Sequence, residues 1–117
     1  MNDYQDLGRR AKAAPGYEER LGMLSLPDKH GRTFRLLAPR KWTQEAGPLL
    51  RCGPDVAELL PDLSDHATLW ALVGVVIADG YTLTPATATQ PWMFSFGARG
   101  YYDPSLATTV VSVLEDM

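Results

Sequence analysis

SDHATLWALVGVVIADG, residues 64–80, carries the strongest structural signal in this chain. Ser64 or Asp65 offers a side-chain oxygen to cap a helix, whose first backbone N–H groups have no partner within it. Leu69, Leu72, Val73, Val76 and Ile77 then recur at i, i+3, i+4, i+7 and i+8, one face of a 3.6-residue period. Trp70 and Val75 add apolar bulk on the flanks, and Gly80 supplies the left-handed residue that ends many helices. A helix apolar nearly all round belongs in an interior, so the pattern predicts the central core helix. Its β-branched tail leaves a strand as the alternative. The apolar run closes at Asp79, well short of the roughly 20 residues that cross a bilayer, so a buried helix and no membrane partner are expected.

Working outward toward the C-terminus, Tyr81-Thr82-Leu83-Thr84 reads as a strand ending at Pro85, followed by a turn over residues 86–90. Trp92, Phe94 and Phe96 alternate with Met93 and Ser95, a strand pattern with an aromatic face. Gly97-Ala98-Arg99-Gly100 then reads as a loop. Asp103 as cap and Pro104 at the first helical position predict a last helix with Leu106, Val110, Val113 and Leu114 as its apolar stripe.

Toward the N-terminus, Asn2 or Asp3 caps a first helix in which Tyr4, Leu7 and Ala11 share a face, and Pro15-Gly16 stops it. Residues 22–26 and 33–37 are strand-like runs around the turn-rich hexapeptide 27–32, which predicts a β-hairpin with Gly31 at positive φ. In its second strand, Phe34 and Leu36 face one way and Thr33, Arg35 and Leu37 the other. Proline and glycine break residues 38–61 into short pieces: loops, a short strand near residues 49–52, and one helical turn over residues 55–60. Strands grouped beside helices predict an α+β fold over residues 1–117. We expect a single domain with a small, mostly antiparallel sheet of about four strands and helices packed on one face.

The chain has 117 residues, enough for one core without staples. Its 45% hydrophobic and 21% charged content is globular composition. One cysteine, Cys52, excludes an intramolecular disulfide and a cysteine-based zinc cluster, and makes a reducing compartment the expectation. With no basic, apolar leader at residues 1–10, the expected location is the cytoplasm.

Ten of the eleven Lys and Arg residues lie in positions 1–51, giving that half +4 and residues 52–117 a charge of −7. Such asymmetry either finds an electrostatic partner or is neutralised within the fold. Arg32, Arg35, Arg40 and Lys41, with Trp42 beside them, form a basic-aromatic cluster of the kind that holds phosphates and stacks bases. Asp62, Asp65, Asp79, Glu115 and Asp116 form an acidic set able to occupy a nucleic-acid-binding groove on a protein partner. No phosphate-binding loop is present, since residues 97–100 lack the Lys-Ser/Thr pair and a following helix start. His30 and His66 share no metal-ligand spacing, so no metal or cofactor is expected. Cysteine is among the most buried residue types, which favours a structural Cys52 over a nucleophile.

DLGRRAKAAPGYEERLGML (residues 6–24) and LPDLSDHATLWALV (residues 60–73) together resemble short, uncharacterised proteins encoded by bacteriophages and prophages. In those proteins an N-terminal helix and a Pro-Gly turn precede an LPDLxDPATLG helix start. The resemblance carries no functional residues. It implies a phage-type accessory setting, in which small acidic proteins are often anti-defence inhibitors, anti-CRISPR proteins among them. The resulting expectation is a non-enzymatic protein that binds a host protein complex. The alternatives are a nucleic-acid-binding factor using the basic cluster and a small enzyme with a pocket of Trp92, Phe94 and Tyr101. A homodimer with two-fold symmetry also fits the charge map.

Overall fold

The computed structural model describes residues 3–117. Helix α1 (Asp3–Ala13) leads to strands β1 (Thr33–Ala38) and β2 (Lys41–Ala46), then a 3-10 turn at Val56–Glu58. Helix α2 (His66–Ala78), strands β3 (Thr82–Thr84), β4 (Trp92–Phe96) and β5 (Arg99–Asp103), and helix α3 (Leu106–Asp116) follow. The architecture is α+β, with antiparallel pairing throughout. The strands divide into two sheets, β1-β2 and β3-β4-β5, in place of one four-stranded sheet.

The hairpin partner of residues 33–38 is the strand that follows them. β1 pairs with β2, Leu36 opposite Trp42, across a turn at Pro39 and Arg40. Arg40 there has φ 61°, a left-handed conformation usually given to Gly, Asn or Asp. With no such residue to mark the turn, the sequence pointed to residues 27–32, where Gly31 does have positive φ. Residues 22–26 nevertheless lie antiparallel along the other edge of β1. The Ser25 N–H donates to the Phe34 carbonyl (2.8 Å), and the Phe34 N–H donates to Ser25 Oγ (2.9 Å). A buried hydroxyl thus stands in for a backbone acceptor in this ladder. On its far side the same segment meets residues 60–62, the Leu26 N–H donating to the Leu60 carbonyl at 2.8 Å.

Phe34 and Leu36 are buried and Leu37 is exposed, as alternation requires. The strand expected near residues 49–52 is absent: this segment is irregular, and Leu49 is 92% exposed. Pro48, Gly53 and Pro54 deny it a ladder. Asp55 caps the 3-10 turn, accepting from the Ala57 N–H. Residues 97–100 are not simply a loop, because β5 begins at Arg99 and pairs with β4, placing Phe94 opposite Tyr101.

Asp65 caps α2 by accepting from the Thr68 N–H, and Gly80 follows its end at φ 111°. The cap of α3 is Ser105, which accepts from the Thr108 N–H, while Asp103 accepts from the Ser105 N–H one turn earlier. The core runs through Leu7, Ala11, Met23, Leu63, Leu72, Val76, Phe94 and α3. Its centre is α3 and not α2, which corrects the sequence expectation. Leu106, Ala107, Thr109, Val110, Val111, Val113 and Leu114 are all buried, and α3 packs on α1, α2, β4 and β5. α2 contributes Thr68, Leu72, Val73, Val75 and Val76 to the interior and turns its other side outward.

Candidate functional site

The basic cluster does not assemble as one exposed surface. Arg32 is 3% exposed; its guanidinium pairs with Asp28 at 2.9 Å and donates to the Cys52 carbonyl at 2.6 Å. It also lies over the Phe34 ring, 5.2 Å from the centroid. Arg35 bridges Glu45 (2.7 Å) and Asp65 (3.3 Å) and donates to the Gly22 carbonyl (2.7 Å). Trp42 packs against the core, its indole N–H buried with no acceptor among the described residues. Arg40 and Lys41 alone of the five stand exposed at the hairpin tip without an ion pair among the described residues.

The acidic set is similarly engaged inside the molecule. Asp62 accepts from both the N–H and the hydroxyl of Ser64. Partial burial pushes the Asp65 carboxyl upward, but hydrogen bonds from Arg35, the Thr68 N–H and the Thr68 hydroxyl outweigh it and hold the group below its ordinary value. Glu115 pairs with Arg10 at 2.6 Å. Asp116 accepts from the Tyr101 hydroxyl at 2.7 Å, and that bond, with burial and the carboxylate charge, raises the phenol to about 12. Asp79, at the end of α2, is the member with no ion pair or side-chain hydrogen bond among the described residues.

The charge asymmetry is therefore answered in part within the fold. Arg10–Glu115 and Arg35–Asp65 join the two halves directly. Lys12 donates to the carbonyls of Val56, Ala57 and Leu59, and Arg32 to those of Cys52 and Gly53. These cations fasten a segment that has no ladder of its own by satisfying its carbonyl oxygens. That use of positive charge leaves no mark in a count of acidic side chains.

A cleft of about 460 Å³ opens beside Arg32, between residues 26–32 and residues 52–60. Cys52 and His30 both line it, and Cys52 is exposed, contrary to the burial its residue type suggests. No hydrogen bond links the two among the described residues, so the thiol and base of a nucleophilic pair are not joined. Trp92, Phe94 and Tyr101 build no pocket together: Phe94 is fully buried and the other two pack against the core.

The surface feature the fold itself does not use is the outer side of α2. Its outward residues are His66, Ala67, Trp70, Gly74, Ile77 and Ala78, with Trp70 50% and Ile77 48% exposed. All but His66 are apolar, and α2 has no charged residue along its length. Beyond its C-terminus, Phe96 (49% exposed) lies over Gly80, where a Cβ would stand 2.8 Å from the ring, and extends the apolar surface. Gly74 has no positive φ, and a Cβ added there would meet nothing within 4 Å. A mid-helix glycine costs about 1 kcal/mol relative to alanine, so this one has no rationale within the monomer. Sequence reasoning placed Ile77 in the core and Trp70 at its flank. The signal for the contrary was the near-uniform hydrophobicity itself, since a helix that packs mainly on α3 must expose the side turned away from it.

Comparison with known proteins adds no assignment: no family model, no curated protein and no solved structure matches the chain. No helix among the described residues is long and apolar enough to cross a membrane. No group of three or more metal-binding side chains occurs among them.

Proposed function

We propose that this is a small non-enzymatic interaction protein that acts by stoichiometric binding of a protein partner, with the outer face of α2 as its contact surface. The observation that carries this reading is the exposure of Ala67, Trp70, Gly74, Ile77 and Ala78 on one side of a helix without charge. Contiguous apolar surface of this kind costs solubility and marks interaction sites in soluble proteins. A tryptophan at its middle is the residue type most enriched among residues that dominate binding energy. The resemblance of residues 6–24 and 60–73 to short phage-encoded proteins supplies the setting: an accessory or anti-defence inhibitor, anti-CRISPR-like in kind, that holds a host complex. In this reading the acidic set is secondary, because every member but Asp79 already has an intramolecular partner.

The test is affinity capture from host lysate with the wild-type chain and with a Trp70→Glu/Ile77→Glu variant whose fold is verified by circular dichroism. Loss of the captured protein from the variant is expected. An identical captured set from both would sink the assignment of this face.

A further inference from the structure

We infer that the Arg51–Cys52 peptide bond is a site of limited proteolysis by an arginine-specific serine endopeptidase, and that the nicked protein stays assembled as a complex of residues 1–51 with residues 52–117.

Three long side chains tie down the irregular segment that follows β2, each through backbone carbonyls. Gln44 donates to those of Ala46, Gly47 and Pro48, Arg32 to those of Cys52 and Gly53, and Lys12 to those of Val56, Ala57 and Leu59. Leu49, Leu50 and Arg51 fall between the first two fastenings. They make no hydrogen bond or ion pair among the described residues, and all three are exposed. An endopeptidase takes its substrate as an added strand, which requires several residues of chain free of helix and ladder bonds. The approach to Arg51 meets this without local unfolding, because residues 48–50 have no regular secondary structure.

The chain's other basic positions do not. Six of the remaining ten Lys and Arg residues lie in α1, β1, β2 or β5, where cleavage must wait for the element to open. Arg32 is buried, and Arg20 is half-buried and paired with Glu18. Lys29 sits in a turn closed on Asp28, whose carbonyl accepts from the Gly31 N–H and whose carboxylate accepts from the His30 N–H. Arg40 occupies the tight turn between two paired strands. Among the described residues, Arg51 alone combines exposure, positive charge and an unbonded backbone.

Charge supplies the specificity, since an arginine-specific pocket holds a carboxylate and the Arg51 guanidinium has no competing ion pair among the described residues. The enzyme's serine attacks the Arg51 carbonyl carbon, and the C–N bond breaks with a proton passing to the Cys52 nitrogen. Water then releases the Arg51 carboxylate from the enzyme. One water is consumed, and nothing is oxidised or reduced.

The nick leaves the joints between the two pieces in place. The Leu26 N–H still donates to the Leu60 carbonyl, the Asp62 N–H to the Leu24 carbonyl, and the Leu24 N–H to the Thr68 hydroxyl. Leu7, Ala11 and Met23 share one core with Leu72, Val76 and Phe94, and α1 packs on α3. The side chains of the two pieces sum to +4 and −7, so long-range attraction adds to this apolar contact.

Mass spectrometry of the folded wild-type chain treated with a trace of trypsin tests this. Residues 1–51 and 52–117 should appear first and together, and in native buffer they should co-elute from size exclusion at the intact mass. Arg51→Gln, an exposed substitution, should slow the first cleavage by about tenfold or more. The wild-type rate, corrected for the enzyme's activity on a short peptide, should be unchanged by low urea, because the native loop is cut without unfolding. An uncut chain, a first cut elsewhere, or an Arg51→Gln chain cut as fast as the wild type overturns the site. A rate that climbs with urea as global stability falls also overturns it, since the unfolded chain is then the substrate. Fragments that separate in native buffer overturn the assembled state.

Discussion

α2 and α3 are both capped, apolar helices near the middle and end of the chain, yet one is enclosed and the other half-bare. α3 keeps Glu115 and Asp116 at its solvent-facing end and buries Leu106, Val110, Val113 and Leu114 against α1, α2 and the β3-β4-β5 sheet. α2 has the more uniformly apolar sequence, and it buries only the side that carries Thr68, Leu72, Val73, Val75 and Val76. Hydrophobicity thus ranks the two helices in the wrong order for burial. What decides burial is the number of neighbours the topology places around each helix, and what remains apolar beyond that number is available for another molecule.

The contrast is most sharply broken by truncation in the two helices. Leu114→Ala removes a fully buried side chain from the centre and should cost about 3 kcal/mol in urea unfolding. Trp70→Ala, on the outer side of α2, should change monomer stability by less than about 1 kcal/mol despite removing a larger side chain. Equal costs would mean that the outer face is packed within the monomer.

Next in size is the end of α2. Gly80→Ala must hold a left-handed φ and push its Cβ to 2.8 Å from Phe96. A loss of about 2 kcal/mol is expected by thermal or urea unfolding.

A smaller effect concerns the joint between the β1-β2 hairpin and the start of α2. Arg35 holds the Glu45 carboxyl below its ordinary value by direct hydrogen bonding, and Asp65 lies below its own for the reasons given above. Carboxyls depressed in the folded state contribute stability that is present above the unfolded value and is lost as pH falls through the folded one. Unfolding measured across the acid range should therefore show the wild type losing stability on acidification. Arg35→Met should flatten that slope and cost less than about 1 kcal/mol near neutral pH, the range for partly exposed pairs.

The smallest expected effect has the opposite sign. Gly74→Ala should stabilise the monomer by about 0.5–1 kcal/mol, because alanine lowers the entropy of the unfolded chain and meets no obstacle in the helix. Measured at low concentration by thermal unfolding, a loss in place of that gain would show that Gly74 already packs against something in the monomer.

Much of the fold was legible in the chain. Asp65 as cap, Gly80 as terminator, the alternation of Phe34 and Leu36 and the aromatic strand at residues 92–96 all follow from local rules of spacing and turn chemistry. The β1-β2 hairpin was not legible, because Arg40 adopts a conformation its residue type does not advertise. β5 was hidden behind two glycines, and Cys52 is exposed because the segment around it is fastened by Arg32 through backbone carbonyls. For the candidate site, Trp70 and Ile77 were visible as apolar positions, but their outward direction was not.

By itself the sequence determined the α+β class, the three helices and most of their end signals, since these depend on periodicity and on local hydrogen bonding. Only the tertiary structure decided which apolar helix lies at the centre, which charges meet across the two halves, and which apolar side is left over. Those outcomes depend on contacts between residues far apart in the chain, such as Arg10 with Glu115 and Lys12 with the carbonyls of residues 56–59. No local pattern specifies them, because each is fixed by the space that the other elements leave.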